Sequence, residues 1–377
     1  MRQQFYGIDL LRILACVLVL LTHSCECYYI SNFYAGGGFE NLDVAAWQSE
    51  ALWAGLFDSF SHCCVPIFVM ISGFLLLPMK PGMSMGEFYR KRASRILIPL
   101  AVWTVVYSFY CTFKMGTGLT TTGDYALSIL KGIGFFFINF PAPIGHLWYV
   151  YMILGIYLII PILSPWVERA SRRQMRLILS IWLFLTSVPF LRLVWPELWG
   201  ECSWNPFGAH QYISGFIGYL LAGAYARRFL FDSKQSYKGI GLLLTILGFA
   251  GASAGILYQI YYMPPTAETF GNYWQNFEIT WFFCGLPMCL ETFGLFLLFF
   301  RWSPKQIPAI MSDFSRLSYG VYLCHIIFLT WFYEEIFLSL ALPTPVSILA
   351  ICLCTVITSY LVIKGLSYLP KSKWIVG

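Results

Sequence analysis

The chain has 377 residues, of which 58% are hydrophobic, 19% aromatic and only 11% charged, and its mean hydropathy is +0.68. A soluble domain carries about 25% charged residues, so this composition excludes one and predicts an integral membrane protein with many spans. The net charge of +6 reads as topology and not as nucleic-acid affinity, because the basic residues sit in short loops between apolar runs.

The first apolar stretch, Gly7 to Ile30, reads GIDLLRILACVLVLLTHSCECYYI. One basic residue precedes it and no small-residue cleavage site follows, which predicts a retained helix instead of a signal peptide. Arg12 and His23 lie inside it. They are eleven residues apart, so they fall within about 20° of one helix face, about 16 Å apart along the axis. A charge inside a span costs roughly 2.5–3.5 kcal/mol on insertion scales, so such residues usually face a cavity or a partner. The plainer alternative has Arg12 snorkelling to the cytoplasmic surface and His23 satisfied at the interface. Their shared face argues against it. Asp9, three residues before Arg12, is spaced to pair with it.

Windows of about 20 apolar residues predict about ten transmembrane helices in an all-α fold, near 8–30, 57–78, 94–114, 143–165, 175–195, 211–231, 238–260, 277–300, 314–337 and 344–366. Basic residues cluster before the first window and after every second one: Arg2; Lys80, Arg90, Lys91, Arg92 and Arg95; Arg169, Arg172, Arg173 and Arg176; Arg227, Arg228, Lys234 and Lys238; Arg301, Lys305 and Arg316; Lys371 and Lys373. The intervening loops are acidic or neutral, and only Lys131 and Arg192 stray there. The positive-inside rule then puts both termini in the cytoplasm. Residues 31–56 and 261–277 form aromatic outward loops, either interfacial belts or surfaces that stack on a sugar or lipid head group. Tyr125–Phe140 is apolar but short, and is expected to lie in the interface or to dip in and return. One membrane-embedded domain, 1–377, is expected, with no separate soluble domain.

No Walker loop, HExxH pair or dinucleotide fingerprint occurs, no GxSxG nucleophile elbow is expected, and the twelve cysteines show no zinc spacing. They read as apolar packing residues, and a disulfide among Cys25, Cys27, Cys63, Cys64 and Cys202 stays open. No metal, bound cofactor or nucleic acid is expected. What remains is polar residues in or beside spans. Arg92 and Arg95 share a helix face in FYRKRASRILIP, and arginine forks suit phosphate, although positive-inside anchoring explains Arg90 and Lys91 as well. Glu291, His325 and His146 lie within or at the start of spans, where such residues are more often helix–helix partners than reactants. His62 lies near the outer face.

These pieces carry a resemblance. IDLLRILACVLVLLTHS with its R-x10-H pattern, VPIFVMISGFLLL, the Arg92/Arg95 pair before a Pro-ended apolar run, HLWYVYMILGIYLIIPIL and LSYGVYLCH resemble, in order, segments of the membrane-bound acyltransferase family 3. TWFFCGLPM and the layout are similar to the enterobacterial-common-antigen O-acetyltransferase type. The resemblance implies transfer of an acetyl or other short acyl group, such as succinyl, from cytosolic acyl-CoA as co-substrate. The acceptor would be a hydroxyl of a surface glycan or lipid-linked saccharide, and the protein would sit, multi-pass, in a bacterial inner membrane. It implies His23 as catalytic base and Arg12, Arg92 and Arg95 at the donor, with Asp9, Glu291, His146 and His325 as supporting candidates. Membrane lipids are the other expected partners, and a homo-oligomer stays open. The alternative from another class is a transporter or exporter on the same helices, for which helix breakers such as Pro66, Gly73 and Pro287 give weak support.

Overall fold

The computed structural model describes residues 5–35, 44–116, 118–137, 145–194, 215–262, 281–302 and 307–377. Every regular element among them is helical: α1 Tyr6–Ala35, α2 Val44–Ser61, α3 Cys64–Leu76, α4 Met85–Met115, α5 Thr122–Gly134, α6 Trp148–Arg169, α7 Arg172–Val194, α8 Ile217–Tyr225, α9 Lys238–Tyr262, α10 Leu286–Phe299, α11 Ala309–Phe332, α12 Thr344–Leu366 and the short α13 Lys373–Val376. Hydrocarbon offers no partner to a backbone amide, so helices that satisfy their own are the expected solution.

Among the described residues, six helical stretches are long and apolar enough to cross a membrane: Tyr6–Tyr28, Val44–Leu76, Met85–Lys114, Gly145–Arg169, Lys238–Tyr262 and Thr344–Leu366. The chain is therefore a polytopic helical membrane protein. The other four sequence windows fall on α7, α8, α10 and α11. Arg172, Arg173 and Arg176 dilute the start of α7, Asp313 and Arg316 that of α11, and α10 is apolar but short. Large apolar side chains on the outer helix faces, such as Phe113, Leu158, Ile162 and Leu361, are exposed, as lipid contact requires.

The second window needs correction. Residues 44–56, read as loop, are helical, and Trp47, Ala51, Ala54 and Gly55 are buried on α2. Small residues let α2 lie close against α1 and α9. The rod is interrupted at His62–Cys63, where α3 begins. α5 answers to the Tyr125–Phe140 stretch. It buries no residue, exposes Leu127 and Leu130, packs on α4 and opens with a capping box between Thr121 and Asp124.

α1 lies at the centre, packed against α2, α3, α10, α11 and α12. α3 and α8 cross at backbone distance: a Cβ on Gly73 would overlap the Leu220 carbonyl, and one on Gly223 the Met70 carbonyl. This close crossing is how membrane helices gain contact area without a hydrophobic driving force.

Candidate active site

Arg12 and His23 do share a face of α1, and that face lies on α11. Arg12 donates to Asp9 Oδ1 at 2.9 Å and to Ser315 Oγ at 3.1 Å, so the expected Asp9 pairing is present, with an added partner from α11. His23 meets the same helix ten residues further on, its ring 5.2 Å from that of His325.

His146 completes a cluster. It sits in the short turn Gly145–Leu147 before α6, its ring 6.2 Å from His23 and 5.0 Å from His325. Tyr107 and Tyr322 hold it by ring edges, and the Tyr322 hydroxyl donates to the His146 carbonyl. His325 is fully buried. Its Nδ1–H donates to the Tyr322 carbonyl at 2.5 Å, and its Nε2 has no hydrogen-bond partner among the described residues. Three histidines far apart in sequence thus meet around one point. Among the described residues no group of three or more His, Cys, Asp and Glu has the geometry to hold a metal ion.

His23 is tied within its own helix. Its Nδ1 lies 2.6 Å from Glu26 Oε2, three residues on. A carboxylate only accepts, so Nδ1 carries the proton and the neutral ring keeps its lone pair on Nε2. Glu26 was missed in the sequence, although the H-x-x-E spacing puts it on the same face.

His23, Glu26 and His146 line a cavity of about 690 Å³, with Tyr322 and the rings of Trp148, Phe216, Trp281 and Phe283. A second pair, Asp58 and His62, lines it too: Asp58 Oδ1 is 2.7 Å from His62 Nδ1, and the imidazole stacks on Trp281 at 5.1 Å and 15°. The sequence reading gave His62 no role. The D-x-x-x-H spacing was its signal.

Other candidates lie elsewhere. Arg92 is half-buried with its guanidinium over Phe88 and Tyr157, whereas Arg95 is exposed. Glu291 is fully buried on α10 beside the Cys63 thiol, and it does not line the cavity. Cys25, Cys27, Cys63 and Cys64 are free thiols, and Cys202 lies outside the described residues. Residues 251–255, GASAG, have the spacing of a nucleophile elbow, but they sit mid-α9 with the Ser253 hydroxyl buried. An elbow needs a sharp strand-to-helix turn, which a continuous helix does not supply.

The site therefore offers an oriented imidazole, further imidazoles around it and an aromatic-walled cavity within the helical bundle. That combination suits removal of a proton from a weak nucleophile away from bulk water. The sequence model of the acyltransferase domain, family 3, matches residues 5–364. No curated protein and no solved structure matches the chain. With the match running over nearly its whole length, this membrane protein belongs to the acyltransferase 3 family.

Proposed function

We propose that the protein is an O-acyltransferase that moves an acetyl group, or another short acyl group such as succinyl, from cytosolic acyl-CoA to a hydroxyl of a glycan or lipid-linked saccharide. The acceptor class is that of the surface glycans to which the enterobacterial-common-antigen type of the family belongs. Ten spans with both termini in the cytoplasm, in a bacterial inner membrane, complete the reading. They put Arg12, Arg92 and Arg95 on the donor side and the cavity toward the outside.

The observation that carries the reading is the His23–Glu26 pair at 2.6 Å in a cavity that also holds His146. A hydroxyl is a poor nucleophile at neutral pH, and a positioned base within hydrogen-bond reach relieves that. Glu26 holds the ring so that Nε2 is the accepting atom, and its charge steadies the imidazolium formed as the hydroxyl attacks the thioester. The tetrahedral intermediate expels the thiolate and leaves the ester. Arg92 and Arg95 suit the phosphates of the nucleotide end. Arg12 shares the α1 face of His23, along which the pantetheine arm would run.

The test is acyl transfer from labelled acetyl-CoA by the purified protein, with donor binding measured alongside. His23→Gln is expected to bind donor normally and to lose roughly 10²–10⁴-fold in transfer, the usual worth of a positioned base. Near-normal turnover in His23→Gln would remove His23 from the mechanism and leave His146 and His325 to be tested next.

A further inference from the structure

Transfer through His23 leaves the second histidine–carboxylate pair of the cavity without a role. Asp58 is 1% exposed, and apart from His62 its Oδ1 accepts from the Ser61 hydroxyl at 3.2 Å, while its Oδ2 has no hydrogen-bond partner among the described residues. Burying a carboxylate costs several kcal/mol per ion before pairing, and an apolar pair of similar volume often packs as well or better. Packing alone therefore gives no reason for this pair. The His62 ring is fixed on both sides, by Asp58 at Nδ1 and by Trp281 and Phe283 at its faces. Its remaining nitrogen is Nε2, on a residue that lines the cavity. Glu26 lies within electrostatic reach of both His23 and His62. The cavity thus has two imidazoles, each with its own carboxylate.

We propose that His62, held by Asp58, is a second proton-transfer residue of this cavity: it protonates the thiolate that leaves the acyl donor, while His23 takes the proton of the attacking hydroxyl. The proposal rests on the acyl-transfer reading above. The hydroxyl oxygen bonds to the thioester carbon as its proton passes to His23 Nε2. The carbon–sulfur bond then breaks with its electron pair going to sulfur, and sulfur takes the proton from His62 Nε2. The products are ester and free thiol, with His23 charged and His62 neutral, and the proton returns from one Nε2 to the other through water once the products leave. The positive charge therefore sits on His62 before transfer and on His23 after it, which gives each imidazole a use for its own carboxylate. A thiolate among Trp148, Phe216 and Phe283 is poorly solvated, so a proton delivered there matters more than it would in water.

The experiment compares two donors on the purified full-length protein, with a membrane lipid and glycan extract of the producing cells as acceptor and thiol release as readout. Acetyl-CoA leaves as an alkyl thiolate. S-Phenyl thioacetate leaves as a more acidic thiol whose charge spreads into the ring, and it needs no proton. His62→Gln is expected to slow thiol release from acetyl-CoA by roughly 10²-fold with donor binding retained, and to show a much smaller deficit on S-phenyl thioacetate. Asp58→Asn should follow the same donor pattern more weakly, whereas His23→Gln should be slow on both donors. Equal loss on both donors in His62→Gln, or no loss on acetyl-CoA, overturns the proposal and leaves the His23 mechanism standing. If the unsubstituted protein neither binds acetyl-CoA nor releases thiol from either donor, the acyl-CoA reading itself fails and the proposal falls with it.

Discussion

Glu26 and Asp58 lie three and four residues from the imidazoles they hold, so one pair forms within α1 and the other between the end of α2 and the break that follows it. Spacings of this kind are legible in sequence, yet these two were easy to pass over. Glu26 and Asp58 fall at the outer ends of apolar runs, where a carboxylate reads as a loop charge. Replacing Glu26 by Gln keeps an acceptor for Nδ1 and removes the charge that steadies the imidazolium. A charged hydrogen bond contributes about 1.5–3 kcal/mol, so transfer should fall roughly 10- to 150-fold with acetyl-CoA binding unchanged. Unchanged turnover in Glu26→Gln would mean that the ring is oriented by its neighbours alone. Arg92 and Arg95 differ in burial, and Arg92 is braced by two rings. If they grip donor phosphate, Arg92→Ala or Arg95→Ala should weaken acetyl-CoA binding by about 1.5–3 kcal/mol. Arg90→Ala and Lys91→Ala should not, and equal losses in all four would reduce the cluster to a topology signal.

At the scale of elements, α5 shows what a short apolar stretch becomes when it cannot span. Its thirteen residues expose one apolar face, and its start depends on a cap. The Asp124 carboxylate accepts from the Thr121 amide at 2.9 Å, the Thr121 hydroxyl at 2.8 Å and the Thr120 amide at 3.2 Å, and these donors hold its pKa below the ordinary aspartate value. A depressed carboxylate pKa contributes stability that is fully present above the unfolded value, about 3.9, and is lost as pH falls through the folded value. Amide protection in the first turn of α5 should therefore drop on acidification below about pH 4, and Asp124→Asn should flatten that response. Protection independent of pH in the unsubstituted protein would show that packing on α4 alone holds α5. The α2–α3 rod teaches a different lesson. Hydropathy windows pass over its outer part because Gln48, Ser49 and Glu50 dilute them, whereas the buried face of small residues, Ala51, Ala54 and Gly55, is what packs.

For the whole molecule, the alternation of basic loops sets an orientation that can be measured. With both termini cytoplasmic, single cysteines at Val44 and Tyr262, both exposed, should react with an impermeant thiol reagent added outside, and cysteines at Gly82 and Lys371 should react only after permeabilisation. The background is a variant without the accessible native thiols. Labelling of Lys371→Cys from outside would overturn the even number of spans.

Composition and hydropathy by themselves determined that this is a multi-pass helical membrane protein, because continuous apolar runs of about 20 residues satisfy their backbone in lipid as helices, whereas barrel strands alternate in polarity. Period and spacing put Arg12, His23 and Asp9 together on α1, since those relations lie within one helix. The meeting of His23, His146 and His325 was not legible, because it depends on the turn before α6 reaching the seam where α1 packs on α11, and no pattern local to one segment encodes that. The same holds for the Ser315 contact to Arg12 and for the exclusion of Glu291 from the cavity. Buried polar residues at helix spacing look alike in sequence whether they face a neighbour or a cavity. Only the arrangement of helices around α1 decided which of them line the site.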